Sequence, residues 1–169
     1  MKYFSKIIHL FILIFFVIFQ IVFGEQLEIY HISFDFILVT LIAITIKDGL
    51  LTGMLLSFIA GMIFDLLSST IVGITPFLFS LSAFIIVRFI NSGLRLKLIS
   101  YVFIVVIITE INVVLLNIIY YLFNFRLDLV SVMLELLTKP LLNTVLIFII
   151  FPLFRLKFSG EDIIEYNFK

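Results

Sequence analysis

Apolar runs of the length that crosses a lipid bilayer cover most of this 169-residue chain. A helix needs about 20 predominantly apolar residues to span the hydrocarbon core. Of all residues, 64% are hydrophobic and 13% are charged, whereas soluble domains have roughly 25% charged residues. Because backbone groups in lipid must pair within their own segment, each run is predicted to be a helix. The sequence therefore predicts an all-α, polytopic integral membrane protein with no separate soluble domain.

Six runs are predicted to be the transmembrane helices of a single domain that occupies residues 1–169. Their approximate bounds are 7–23, 32–46, 49–67, 71–90, 98–121 and 129–154. The second run is short for a bilayer. It either spans with the residues just before it or is re-entrant. The first run resembles a signal peptide, but it is longer than a usual apolar signal core and Gly24 is a poor cleavage site. We therefore expect it to be retained.

Basic residues predict the orientation of the helices, because they concentrate in cytoplasmic loops. All of them except Arg126 and Lys139 lie at the chain ends or in alternate connections. These residues are Lys2, Lys6, Lys47, Arg88, Arg95, Lys97, Arg155, Lys157 and Lys169. The remaining connections carry Glu25, Glu28 and Asp128. The pattern predicts six crossings with both termini in the cytoplasm.

A stripe of small and polar residues follows the third run. It consists of Gly49, Gly53, Ser57, Gly61 and Asp65, each four residues after the last. Residues at this spacing share one helix face, and small side chains there let a second helix approach closely. We interpret Gly53 and Gly61 as helix-packing residues.

A tight turn is predicted after this stripe, because Gly73 and Pro76 mark the start of the fourth run. Asp65 is expected to accept hydrogen bonds from the turn and from the first backbone N–H groups of the fourth helix, whose N-terminus favours negative charge. It would then shape a surface for a partner. A direct role in binding a partner or ligand, or in proton relay, is the alternative.

Two ionisable residues lie near the bilayer midplane, Glu110 in the fifth run and Lys139 in the sixth. A charge at this depth costs at least about 2.5–3.5 kcal/mol, so the two are predicted to form an intramembrane polar pair. Glu135, one helical turn before Lys139, is the alternative partner. The pair is interpreted as a clamp between helices, or alternatively as part of a polar pocket or proton path. Other residues of interest nearby are Asn117, Pro140, which is expected to kink its helix, and Asn143.

Several chemistries have no motif in this sequence. The chain contains no cysteine, which excludes disulfides and thiolate sites. His9 and His31 lack the spacing of metal ligands, and no phosphate-binding loop, nucleophile elbow or zinc-protease motif is present. No basic stretch with interleaved aromatic residues suggests nucleic-acid binding. We therefore predict no catalytic residue, no metal and no cofactor.

The stretch from Gly53 through Gly61 and Asp65 to Gly73 resembles the glycine–aspartate core of the bacterial rod shape-determining family MreD. The resemblance extends over essentially the full length. It includes an acidic first outer loop, a second helix led by Asp35, and a late Pro-x-x-Asn, which is Pro140 to Asn143 here. One departure is Phe34, where many members have proline before the aspartate.

The resemblance implies a non-enzymatic scaffold in the bacterial inner membrane that supports lateral peptidoglycan synthesis and cell shape. Its implied partners are the bitopic protein MreC and, directly or through MreC, RodA, a class B penicillin-binding protein and the MreB cytoskeleton, within membrane lipid. The implied fold is similar to the substrate-binding subunits of energy-coupling-factor transporters. A subunit that captures a vitamin or other small molecule is therefore the alternative, although short outer loops without tryptophan favour the scaffold.

Overall fold

The computed structural model describes residues 2–28, 32–68, 71–93, 97–126, 128–154 and 156. These residues form six α-helices and a short 3-10 turn at Glu25–Leu27. The helices are α1 (Lys2–Phe23), α2 (Phe36–Asp48), α3 (Leu50–Ser68), α4 (Ile74–Asn91), α5 (Leu98–Leu122) and α6 (Leu129–Leu153). The all-α prediction is confirmed. Five residues that enter the predictions above lie outside the described residues, namely His31, Arg95, Arg155, Lys157 and Lys169.

Five of these helices are long and apolar enough to cross a membrane, namely α1, α3, α4, α5 and α6. The protein is therefore a multi-pass membrane protein. The exception among the described helices is α2, which has 13 residues and is about 20 Å long, well short of a hydrocarbon core of about 30 Å. The prediction of six helices is thus confirmed. The second helix, however, is too short to cross the membrane as the other five can.

Helix α2 lies in the centre of the bundle. Its ten residues from Ile37 to Ile46 are all buried, and it contacts each of the other five helices. A helix that is apolar on every side suits this position. The predicted second span, 32–46, is corrected here, because residues 32–35 are not helical. Non-helical backbone at membrane depth is tolerated only where protein or a polar cavity surrounds it.

The small-residue stripe of α3 faces the interior of the bundle. The buried residues of this helix are Gly53, Ser57, Ala60, Gly61 and Asp65. A Cβ atom at Gly61 would lie 2.5 Å from both the Cα and the N atoms of Pro76, and one at Gly53 would lie 2.5 Å from Thr45 Oγ1. Helices α4 and α2 therefore approach α3 at the two glycines, and both glycines pack within the chain.

Local signals determine where α4 and α6 begin. Gly73 precedes α4 with a φ of +106°, a conformation that residues with a Cβ rarely adopt. Asp128 caps α6 and accepts hydrogen bonds from the backbone N–H of Ser131 at 3.2 Å and from its hydroxyl at 2.7 Å. These bonds lower the pKa of the exposed Asp128 carboxyl. Helix α6 continues as one helix through Pro140.

Candidate functional site

Helix α2 begins inside the bundle, where side chains from α1 and α6 bind its backbone. Asp35 Oδ1 accepts a hydrogen bond from Leu38 N at 3.0 Å. Ile37 N donates to Gln20 Oε1 at 3.0 Å, and Asp35 N donates to Asn143 Oδ1 at 2.9 Å. The first N–H groups of a helix have no partner within it, and leaving them unpaired away from water is costly. These side chains therefore allow α2 to start at membrane depth.

Further buried hydrogen bonds join α5 to α6 and α5 to α4. Asn143, which is fully buried, donates through Nδ2 to Thr109 Oγ1 at 3.0 Å. Asn112 Nδ2 donates to Ser82 Oγ at 2.7 Å and to the carbonyl oxygen of Ile108 at 2.8 Å. Since each of these amides occupies a buried position, these hydrogen bonds fix how the helices are rotated relative to one another.

Lys139 pairs with a residue of its own helix. Its Nζ lies 2.8 Å from Glu135 Oε1, and Glu135 Oε2 also accepts a hydrogen bond from Asn117 Nδ2 at 3.4 Å. The predicted partner, Glu110, is thus replaced by the alternative, Glu135. The reason is the rotation of α5 about its axis. The face of α5 that points into the bundle carries Asn112. Because a helix turns about 100° per residue, Glu110 lies about 200° around the helix from Asn112 and therefore does not lie on that face.

Two cavities adjoin Lys139. The first, which we call the inner cavity, has a volume of about 190 Å³. The polar side chains that line it are Gln20, Ser33, Asp35, Thr75, Thr109, Asn112 and Lys139. The second, the outer cavity, measures about 500 Å³ and shares Ser33 and Lys139 with the first. Its charged lining residues are Arg126, Asp128, Glu135 and Lys139.

The sequence patterns do not predict that Gln20 and Asp35 lie with Lys139 around the inner cavity. Two signals were available for them. Gln20 interrupts the apolar run of α1, and Asp35 directly precedes the apolar run of α2, which is the usual position of a capping carboxylate. A helix too short to span, started by a capping residue, indicates a buried helix N-terminus that needs acceptors from other helices.

Asp65 links the end of α3 to the start of α4. Its Oδ2 accepts hydrogen bonds from Gly73 N at 2.7 Å and from Thr75 N at 3.2 Å. The hydrogen bonds expected between Asp65 and the first backbone N–H groups of α4 are therefore present. The residue is 1% exposed, and its Oδ1 is buried without a hydrogen-bond partner among the described residues. The carboxylate therefore holds the two helix ends together through one oxygen.

A further set of polar contacts lies at the other end of the bundle from Asp35 and Asp65. His9 Nδ1 is 2.6 Å from Asp48 Oδ2, and the His9 ring packs against Phe154 with 4.9 Å between ring centroids. Lys6 Nζ donates to Thr52 Oγ1 at 2.9 Å. These contacts join the start of α1 to the end of α2, the start of α3 and the end of α6. They show that this end of the bundle is held by polar contacts as well.

Comparisons with known proteins identify the family. No curated protein and no solved structure is similar enough to the chain to count as a match. The likeness to energy-coupling-factor subunits therefore stays a prediction. The model of the family described as rod shape-determining protein MreD matches residues 4–157, which include all six helices almost completely. The chain therefore belongs to the MreD family of rod shape-determining proteins.

Proposed function

We propose that this determinant of rod shape is a non-enzymatic scaffold of the bacterial cell-elongation complex. It lies in the inner membrane with both termini in the cytoplasm, binds an MreC-like bitopic protein and so supports lateral peptidoglycan synthesis. RodA, a class B penicillin-binding protein and the MreB cytoskeleton join it directly or through the MreC-like protein. The observation that carries this proposal is the family match over residues 4–157.

The partner surface is proposed to lie at the α3–α4 turn rather than on the glycine stripe. Gly53 and Gly61 face α2 and α4, so the stripe is already occupied within the chain. Next to the turn, by contrast, large apolar side chains are exposed. They are Leu66, Leu67, Val72 and Phe77. Asp65 fixes this surface from within, because it joins the two helix ends on which these side chains stand.

The test is affinity purification of the tagged protein from native membranes, with the MreC-like partner quantified by mass spectrometry. Asp65→Leu should lower the recovered partner severalfold while the protein still inserts. Asp65→Asn should have a mild effect, because both hydrogen bonds go to one oxygen and an amide oxygen can replace it.

A matched pair of surface variants separates loss of the partner surface from loss of folding. Phe77→Ala should lower recovery, whereas Phe148→Ala should not, although the two phenylalanines are 59% and 57% exposed. Equal recovery with both variants would move the partner surface away from the turn. Recovery of an ABC-type ATPase pair in place of the MreC-like protein would favour the substrate-capture alternative.

A further inference from the structure

The inner cavity contains a hydrogen-bond acceptor that no other described residue uses. Asn112 is 9% exposed and lines this cavity. Its amide nitrogen already donates to Ser82 Oγ and Ile108 O, which orients the amide and leaves Oδ1 buried without a partner among the described residues. A buried carbonyl oxygen in this state is unfavourable unless a donor occupies the adjacent space.

Among the described residues, the charges that line the two cavities do not balance. Asp35 and Glu135 supply two carboxylates and Lys139 supplies one ammonium group. Glu135 engages Lys139 at 2.8 Å, and Lys139 also interacts electrostatically with Asp35, so one ammonium group serves two carboxylates. The remaining charged residues that line the outer cavity, Arg126 and Asp128, have opposite signs and cancel. One further positive charge beside Asp35 would neutralise the cluster.

The size and lining of the cavity favour an organic cation over a metal ion. Its volume of about 190 Å³ is many times the space that one water molecule needs. Among the residues that the structure describes, no three His, Cys, Asp or Glu side chains converge in the way that would hold a metal. The remaining wall is largely apolar, with Leu38, Phe64 and Phe79 among its members, which suits a carbon skeleton.

We propose that the inner cavity binds a small compound with a primary ammonium group. The ammonium N–H groups donate to the carboxylate of Asp35 and to Oδ1 of Asn112, and the carbon portion packs against the apolar wall. The outer cavity, which shares Ser33 and Lys139 with the inner one, is the route of entry. The ammonium group belongs either to a soluble amine or to the ethanolamine headgroup of a membrane lipid.

The first experiment distinguishes an ammonium that donates hydrogen bonds from a bare positive charge. The full chain, reconstituted in phosphatidylcholine nanodiscs, is titrated calorimetrically with ethanolamine and with choline, which has no N–H group. Ethanolamine should bind at least about tenfold more tightly, because each hydrogen bond to a charged acceptor contributes measurably to affinity. Equal binding of the two, or binding of choline alone, would overturn the proposal.

The second experiment tests the lipid source. The protein is reconstituted with equal amounts of phosphatidylethanolamine and phosphatidylcholine, and the retained lipid is identified by native mass spectrometry. Selective retention of phosphatidylethanolamine without binding of free ethanolamine would assign the site to a lipid headgroup. Binding of free ethanolamine would assign it to a soluble amine. If neither selectivity appears, the cavity is not an ammonium site.

A charge-removing variant and its control connect binding to the cavity. Asp35→Asn should weaken ethanolamine or phosphatidylethanolamine binding about tenfold, while the fold persists because asparagine caps a helix as well as aspartate does. Glu110→Gln removes one carboxylate from a residue that lines neither cavity and should leave binding unchanged. Unchanged binding in folded Asp35→Asn, or equal weakening in both variants, would contradict the assignment.

Discussion

Asn143 shows how one buried side chain can serve three helices. Its Oδ1 accepts from Asp35 N at the start of α2, and its Nδ2 donates to Thr109 on α5, while the residue itself belongs to α6. Both ends of the amide are thus used, which suits a fully buried position. The sequence predicted Asn143 to lie near the polar pair, but its partners depend on how the helices are rotated. The position of a residue along an apolar run predicts its depth in the membrane, but it does not predict how the helix is rotated about its axis.

The pairing of Lys139 with Glu135 leads to a prediction about stability. Lys139→Met alone should leave Glu135 without its cation and destabilise the protein by about 1–3 kcal/mol, since the pair is partly buried. Glu135→Gln alone should be similar in size. The double variant should recover about 1 kcal/mol or more of the summed loss. The measurement is a double-mutant cycle of unfolding free energies in detergent or bicelles.

Glu110 provides the control for this cycle. Combining Glu110→Gln with Lys139→Met should give additive effects, within about 0.5 kcal/mol, because the two side chains do not meet. A coupling as large for Glu110 as for Glu135 would restore the pair that the sequence predicted. It would also mean that α5 is rotated differently from the arrangement described above.

At the scale of the helices, the two glycines of α3 differ in what they face. A Cβ atom at Gly61 meets the backbone of Pro76, whereas a Cβ atom at Gly53 meets the side chain of Thr45. Backbone atoms can move only if the whole α4 helix moves, but a side chain can be shortened. The four-residue spacing of the stripe predicts close packing at both glycines. It does not distinguish them, because the spacing within α3 does not show which atoms of the neighbouring helices lie opposite each glycine.

Alanine substitutions test this difference. Gly61→Ala should destabilise the protein by about 1–3 kcal/mol through overpacking, and no single side-chain truncation should relieve it. Gly53→Ala should also destabilise, but adding Thr45→Ala should recover part of the loss, because it removes Oγ1 and Cγ2 from the contact. The measurement is thermal unfolding of these three variants and of the unchanged protein. If Gly61→Ala is neutral, α3 and α4 do not pack as closely as described.

The apolar runs predicted the existence of every described helix, and the ends of α3, α5 and α6 within one residue. The apolar composition predicts a start of the second helix at residue 32, whereas α2 begins at Phe36. The difference arises because Ile32 and Phe34 continue the apolar composition without continuing the helix. A composition signal cannot distinguish extended apolar backbone that is buried from apolar helix. The capping hydrogen bond from Leu38 N to Asp35 fixes the start of α2, and only the structure shows this bond.

At the scale of the whole molecule, the distribution of basic residues predicts the orientation in the membrane. The chain contains no cysteine, so single cysteines can report on it. A cysteine at Asn124, in the exposed α5–α6 turn, should react with an impermeant thiol reagent added outside intact cells. A cysteine at Ser92, exposed after α4, should react only after the membrane is permeabilised. Labelling of the Ser92 position from outside would exclude the proposed orientation.

The buried start of α2 constrains the order in which the protein can mature on the ribosome. Asp35 and its acceptor Asn143 are 108 residues apart, and Asn143 lies in α6, the last of the described helices to be synthesised. Until α6 has entered the membrane, the N–H of Asp35 has only water or a non-native group as its partner, so α2 cannot reach its final dry environment. Every nascent chain therefore passes through a stage in which five helices are present and the central one is still incomplete.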